Sequence, residues 1–161
     1  MKNEKMQLMT HAAAIAALYV VLTLIANALG LANYAIQVRF SEALTILPYF
    51  TPAAIPGLFL GCLISNLLTG GALLDVIFGS LATLLGTVGT YLLRKNKWLT
   101  PIPPIVANIL IVPYVLAYVY KLEGSIPYFM VTVGIGEIIS CGVLGMLLLN
   151  VLQKYRKYIF R

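Results

Sequence analysis

Residues 40–69 read FSEALTILPYFTPAAIPGLFLGCLISNLLT, and this stretch decides how many segments the chain has. It is too long for a single membrane-spanning helix, which needs about 20 apolar residues. Pro48, Pro52 and Pro56 interrupt it. Proline breaks the helical hydrogen-bond ladder and disfavours helix in the residue before it. We therefore predict two segments that meet near residues 50–53.

The first of these two segments is predicted to be short. About 12 residues at about 1.5 Å rise per residue reach about 18 Å, whereas the hydrocarbon core of a bilayer is about 30 Å thick. We expect this segment to pack within a bundle of longer helices or to enter the membrane only partway.

The composition identifies an integral membrane protein. The chain is 61% hydrophobic and only 10% charged, whereas soluble domains carry about 25% charged residues. Its first apolar run, residues 8–31, exceeds the roughly 7–15 residues of a signal-peptide core. We predict an all-α bundle of six transmembrane helices in a single membrane domain, residues 1–161. Its spans are about 8–30, 40–51, 53–69, 75–93, 99–120 and 126–152.

The basic residues predict the orientation of this bundle. They cluster at Lys2 and Lys5, at residues 94–97 and at residues 154–161, and basic clusters favour the cytoplasmic side. Six segments place all three clusters on one side of the membrane, and five segments do not. The sequence therefore predicts a multi-pass protein of the cell membrane with cytoplasmic N- and C-termini.

Small residues recur four positions apart on two helices, which lets helix backbones approach closely in lipid. The stripe at residues 53–65 predicts packing inside the bundle. The first helix has two alanine pairs at this spacing, and they are equally compatible with internal packing and with docking of a partner protein. These pairs are Ala12–Ala16 and Ala13–Ala17.

Polar residues inside apolar segments are candidates for a binding site. Glu137 lies midway along the last segment, in GIGEIIS, where a carboxylate costs about 2.5–3.5 kcal/mol. We favour a functional role for it over a structural hydrogen bond. Asn66 and Asn108 are equally compatible with binding and with helix-to-helix hydrogen bonds. Asp75 follows two glycines at a helix start, where a carboxylate is favourable in itself or binds a solute.

The remaining candidates gather in the outer half of the chain. Arg39 and Glu42 flank the outer start of the second segment, and their spacing also allows them to pair with each other. Tyr34, Tyr114 and Phe129 supply aromatic walls. A pocket open to the outside, with carboxylates, amides and aromatic rings, suits a planar, hydrogen-bonding solute.

The sequence carries no pattern for covalent chemistry. It has one histidine and two cysteines without metal-ligand spacing, which argues against metal catalysis. We expect no enzymatic activity, no catalytic residue, no metal site and no cofactor. The net charge of +6 predicts no nucleic-acid partner either, because the basic residues lie between apolar runs, as the positive-inside rule requires.

Three stretches carry a resemblance to a known family. They are AAAIAAL at 12–18, RFSEALTILPYF at 39–50 and PGLFLGCLISNLLTGGALLDVIFGSLATLLG at 56–86. With the six short segments, they resemble the substrate-binding S components of energy-coupling factor (ECF) transporters. The closest resemblance is to the QueT group, which is associated with uptake of deazaguanine precursors of queuosine.

The resemblance implies an ECF-type ABC importer subunit that binds its solute near the outer face and topples in the membrane to release it inside. Its partners would be a transmembrane scaffold subunit, docked at the alanine pairs, two cytoplasmic ATPases and membrane lipid. A guanine-type solute presents a ring N–H beside an NH2 group, and one carboxylate accepts both. Glu137 is the first choice for that carboxylate and Asp75 the second. The other ring edge is assigned to Asn66 or Asn108, and the ring face to Tyr114 or Phe129.

Three alternatives remain. The chain is compatible with an S component for another vitamin-like solute, or with a small oligomeric exporter that uses Glu137 for proton coupling. It is also compatible with a structural or assembly protein of the membrane that binds no solute.

Overall fold

The computed structural model describes residues 2–31 and 37–159, and every regular element in these ranges is helical. The α-helices are α1 (Lys2–Ala28), α2 (Ala54–Leu68), α3 (Leu73–Leu92), α4 (Ile102–Tyr114), α5 (Ile126–Glu137) and α6 (Gly145–Ile159).

Shorter helical pieces complete the bundle. A 3₁₀ segment, Phe40–Tyr49, follows α1, and a short 3₁₀ turn, Lys97–Leu99, precedes α4. A π-helical turn, Val115–Val119, extends α4, and a π-helical segment, Ile138–Leu144, joins α5 to α6 in one continuous run. The predicted all-α bundle of six helical segments with a short second segment is confirmed.

Four stretches of the described chain are long and apolar enough to cross a membrane. Helix α2 is also apolar, but its 15 residues reach only about 22 Å at about 1.5 Å per residue. Several such helices in one chain are typical of a multi-pass membrane protein. The four long stretches are Asn3–Ala28, Leu73–Leu92, Lys97–Val119 and Ile126–Ile159.

The 3₁₀ segment lies in the middle of the bundle. Every residue from Ser41 to Pro48 is buried, and the segment packs against α1, α3, α6 and the π-helical segment. Pro48 has no N–H to donate, which weakens the helical ladder at this point. Ten residues at about 2.0 Å per residue give about 20 Å, so the segment is shorter than the hydrocarbon core, as expected.

Helices α1 and α2 touch through their small residues. A methyl group added to Gly57 would lie 2.6 Å from the carbonyl oxygen of Ala12, and one added to Gly61 would lie 3.0 Å from that of Ala16. The glycines therefore allow the two backbones to meet. Ala12 and Ala16 remain half-buried beside α2 and, together with Ala13, line an open groove between the two helices. Ala13 and Ala17 remain exposed.

The segments alternate in direction, so their ends gather at two ends of the bundle. One end contains the end of α1, the turn at 69–72 and the loop at 120–125, and we call it the cavity end. The opposite end contains the start of α1, the loop at 93–101 and the end of α6. We call this one the basic end, because the described basic clusters lie there.

Candidate functional site

A cavity of about 570 Å³ opens at the cavity end. It brings together four residues that the sequence nominated, namely Arg39, Asn66, Asp75 and Phe129. Its volume lies within the range of about 300–1,000 Å³ that is usual for small-molecule sites. The other lining residues are Asn27, Gln37, Thr69, Gly70, Gly71, Val112, Leu116, Tyr120, Leu122, Glu123 and Tyr128.

Asp75 is held in this cavity by Tyr120. The Tyr120 hydroxyl donates to Asp75 Oδ2 at 2.7 Å and accepts from the backbone N–H of Ala72 at 3.2 Å. Partial burial of Tyr120, and then its bond to Asp75, raise the pKa of the phenol above its ordinary value. Gly70 has φ +75°, a conformation that glycine adopts without strain. It turns the chain so that the first turn of α3, with Asp75, faces α4.

Asn66 is fixed on the neighbouring wall of the cavity. It is buried, and its Nδ2 donates to the Cys62 sulfur at 3.6 Å. A methyl group on Gly79 would lie 3.1 Å from that same Nδ2, so the glycine leaves the space that the amide occupies. Asn66 and Asp75 thus face one cavity although they belong to different helices.

Arg39 reaches the cavity from the short extended stretch 37–39. Its backbone N–H donates to the Ser140 hydroxyl at 3.1 Å. The carbonyl of Gln37 lies so close to α5 that a methyl group on Gly136 would collide with it. The stretch is therefore pressed against α5 and the π-helical segment, and the Arg39 charge lies near Asp75, Glu42 and Glu137.

An apolar layer closes the inner side of the cavity. Leu116, Phe129 and Val133 form one buried cluster, with Val112 packed against it, and three of these four also line the cavity. Residues four positions apart share a helix face, so Phe129, Val133 and Glu137 follow one another along α5. The same rule places Asn108 one turn before Val112 on α4.

Behind this layer lies a buried polar cluster. It contains the side chains of Tyr19, Glu42, Asn108, Glu137 and Cys141. The Tyr19 hydroxyl donates to Glu42 Oε1, and the Cys141 thiol donates to Glu137 Oε2 at 3.1 Å. Glu42, Asn108 and Glu137 are 2%, 4% and 8% exposed. This corrects the expectation that Glu42 flanks the outer surface beside Arg39, because the 3₁₀ segment carries it into the core.

Two atoms of this cluster have no hydrogen-bond partner among the described groups. They are the acceptor Glu42 Oε2 and the donor Asn108 Nδ2, although the Asn108 side chain lies beside both carboxylates. A buried polar group without a partner costs about 1–3 kcal/mol. A donor and an acceptor this close can pair with each other after a small shift of the Asn108 amide, or with a bound group that both donates and accepts.

The cluster is also compact enough for a cation. Donor atoms of Glu42, Glu137 and Cys141 all lie within 4.8 Å of one another, and two carboxylates and a thiolate are metal ligands. A cation would engage the carboxylates and the thiol only, whereas an organic ligand with a donor and an acceptor on one edge would also engage the Asn108 amide. The two unpaired atoms therefore favour an organic amide-type edge over a metal ion.

One nominated aromatic residue, Tyr114, does not line the cavity. Tyr114 is 47% exposed on the outer side of α4 and stacks on Tyr118, with ring centroids 6.4 Å apart. Its place in the predicted pocket is corrected, because the helix turns this ring away from the cavity. Tyr34 falls outside the described residues.

Sequence reasoning missed the two tyrosines that bind the carboxylates, Tyr19 and Tyr120. Tyr19 lies 23 positions from Glu42 in the sequence, and Tyr120 lies 45 positions from Asp75. No local spacing links such residues. Their phenol groups in apolar helices were the one available signal, because a buried tyrosine hydroxyl usually has a partner.

Comparison with known proteins gives one family and one relative. A profile described as QueT transporter matches residues 9–154. A protein of Lactococcus lactis subsp. cremoris, named queuosine precursor transporter QueT, is 38% identical over 84 residues. This alignment covers 52% of the present chain and 49% of the relative, so the chain matches about half of that protein's length. No solved structure matches the chain.

Proposed function

The chain belongs to the QueT transporter family, and from this premise we propose that it is the substrate-binding S component of an ECF-type importer for a queuosine precursor. The observation that carries the substrate class is the pair of unpaired atoms, Glu42 Oε2 and Asn108 Nδ2, behind an open polar cavity. The name of the Lactococcus relative, a queuosine precursor transporter, supports the same class of solute.

The edge of a 7-deazaguanine base is complementary to this pair. It presents an NH2 group, a ring N–H and a carbonyl oxygen in a row. A carboxylate accepts the first two, and an amide N–H donates to the third. We assign the carboxylate to Glu42 or Glu137 and the amide to Asn108. The desolvation of a buried carboxylate is then offset by the bound base.

The outer cavity serves as the capture site in this proposal. Asp75, Asn66 and Arg39 offer an acceptor, an amide and a cation within one cavity, and Phe129 offers a ring face for stacking. The base then passes the apolar layer to reach the buried polar cluster. Both regions bind the same planar molecule in succession.

Energy coupling is assigned to partners. The sequence contains no phosphate-binding G-x-x-x-x-G-K motif, so a transmembrane scaffold subunit and two cytoplasmic ATPases would supply the energy, with toppling of the chain in the membrane. The proposed docking face carries both alanine pairs of α1, Ala12–Ala16 and Ala13–Ala17. Ala16→Trp should abolish co-purification of the scaffold and leave base binding unchanged. Loss of binding with intact assembly would contradict this assignment.

We also propose an orientation of the bundle in the membrane. The basic end should face the cytoplasm, because basic clusters favour that side. Single cysteines introduced at Asn96 and Gly124, which lie at opposite ends of the bundle, should react with impermeant thiol reagents from the inside and the outside, respectively. Reaction of the Asn96 position from outside would overturn the orientation.

Calorimetric titration of a 7-deazaguanine base into the purified chain tests the substrate. Glu137→Gln should weaken binding by about 2 kcal/mol, roughly 30-fold, because an amide replaces one acceptor by a donor. Asp75→Asn should weaken it less. If Glu137→Gln binds as tightly as the wild type, Glu137 is structural, and absence of any binding to the wild type would contradict the substrate class.

The buried carboxyl pair supports one alternative, a small proton-coupled exporter. Glu42 and Glu137 lie together inside apolar helices, an arrangement typical of proton relays in membranes. Proteoliposomes that contain this chain alone distinguish the two functions. Proton-driven transport without any partner would favour the exporter, and retention of the base without transport would favour the S component.

A further inference from the structure

A recess of about 400 Å³ at the basic end has no role in the function proposed above. It exists because the 3₁₀ segment stops short while α3 and α6 continue past it. The 3₁₀ segment and the loop after it supply Pro48, Tyr49, Phe50 and Pro52. The ends of α3 and α6 supply Tyr91, Arg94, Lys95 and Arg156.

The chemistry of this recess is that of an anion site with an apolar side. Three cationic side chains, Arg94, Lys95 and Arg156, border it, and among the described residues no carboxylate does. The Arg94 guanidinium lies 3.7 Å above the centre of the Tyr91 ring, a cation–π contact that holds its planar fork in place. Arginine forks recognise phosphate oxygens in pairs.

The position of the recess identifies the source of the phosphate. Leu92 and Leu93, the residues just before Arg94, are 71% and 39% exposed, so the lipid-facing surface of α3 ends where the cations begin. Trp98, 67% exposed, lies at the same end, and exposed tryptophan is typical of the membrane interface. Phospholipid phosphates occupy this depth.

We propose that the recess binds the headgroup of an anionic phospholipid. The phosphate would lie between Arg94 and Arg156, and the glycerol and upper acyl chain would contact Tyr49 and the prolines. Basic pockets between transmembrane helices bind anionic headgroups in this manner. Such a lipid would fasten the end of α3 to the end of α6 across the short 3₁₀ segment.

Native mass spectrometry of the full chain, titrated with phosphatidylglycerol or phosphatidylcholine, tests the proposal. Phosphatidylglycerol should bind at least about ten-fold more tightly, and Arg94→Gln or Arg156→Gln should each remove about ten-fold of that affinity. Lys154→Gln and Lys157→Gln are matched controls, since they remove a charge from the same end but do not line the recess. They should change lipid affinity less than two-fold, roughly the effect of a screened surface charge.

Three outcomes would overturn the proposal. Equal binding of both lipids would exclude a headgroup site and leave the recess to a partner protein. Equal losses in the controls would show that general positive charge, not the recess, attracts the lipid. Displacement of the bound lipid by millimolar inorganic phosphate would assign the site to a soluble anion. An unchanged melting temperature of each variant would show that it is folded.

Discussion

The molecule contains the same chemical pair twice, a tyrosine hydroxyl donating to a carboxylate, in two different surroundings. Tyr120 binds Asp75 in the open cavity, and Tyr19 binds Glu42 in the buried polar cluster. Water can reach the remaining acceptor sites of Asp75, whereas Glu42 Oε2 is sealed from solvent without a partner. The comparison indicates that burial of the carboxylate, and not its bond to a tyrosine, leaves an acceptor oxygen for a ligand to bind.

Glu42→Gln, compared with Asp75→Asn, should give the largest difference between the two regions. The buried substitution replaces a desolvated acceptor by a donor and should weaken binding of a deazaguanine base by about 2–3 kcal/mol. The exposed substitution should cost about 0.5–1 kcal/mol, because solvent screens that site. Calorimetry on both variants measures the difference, and equal losses would break the comparison.

Asn108→Leu should affect binding and stability in opposite directions. Its Nδ2 has no hydrogen-bond partner within the described part of the chain, so an apolar side chain of similar size should raise the melting temperature of the ligand-free chain while weakening base binding by about 1–2 kcal/mol. Asn66→Leu is the control, since its Nδ2 donates to Cys62, and this variant should not gain stability. A fall in melting temperature for Asn108→Leu would show that the amide supports the fold.

Phe129→Ala should open the apolar layer between the two regions. The ring is 4% exposed, and loss of its stacking should weaken base binding by about 0.5–1.5 kcal/mol. Tyr128→Ala is a matched control, because this neighbouring ring also lines the cavity but is 50% exposed. Calorimetry should show a smaller loss for Tyr128→Ala, and the reverse order would move the ring-binding face to the mouth of the cavity.

Tyr120→Phe should have the smallest effect, and its pH dependence is informative. The pKa of this phenol is raised, so its O–H remains available to Asp75 at every pH below its ordinary value of about 10. The stability it contributes is complete below that value and is lost only as the pH rises through the raised pKa. The difference in melting temperature between wild type and variant should therefore stay constant from about pH 6 to 9. A difference that shrinks in this window would contradict the bond.

Prolines and charge clusters were sufficient to predict the number of segments and the short second segment. Pro48, Pro52 and Pro56 act on the backbone locally, so their effect is visible in one sequence. The site was predicted less completely. Asn66, Asp75 and Arg39 face one cavity as expected, but Glu42 lies in the core and Tyr114 faces outward. The phase of a helix decides such orientations.

The π-helical segments are a separate obstacle to predicting orientations, since Glu42 and Tyr114 both precede them. Val115–Val119 and Ile138–Leu144 each shift the helical phase, so faces counted at 3.6 residues per turn are no longer continuous beyond them. Ser140 and Cys141 of the π-helical segment Ile138–Leu144 are buried in the bundle. No propensity rule marks these positions, because π-turns arise from packing around them and not from the residues alone.

Because both cysteines are buried, the rates at which they react with a thiol reagent measure how often the protein opens around them. Cys62 is 1% exposed and Cys141 0%, so a small thiol reagent modifies either one only during a spontaneous opening of its surroundings. Cys141 contacts Glu137 within the buried polar cluster, whereas Cys62 packs with Tyr19 in the hydrophobic core and contacts Asn66 on the cavity wall. The two modification rates of the unaltered chain therefore report the opening of two places in the interior, on one sample and without an introduced label.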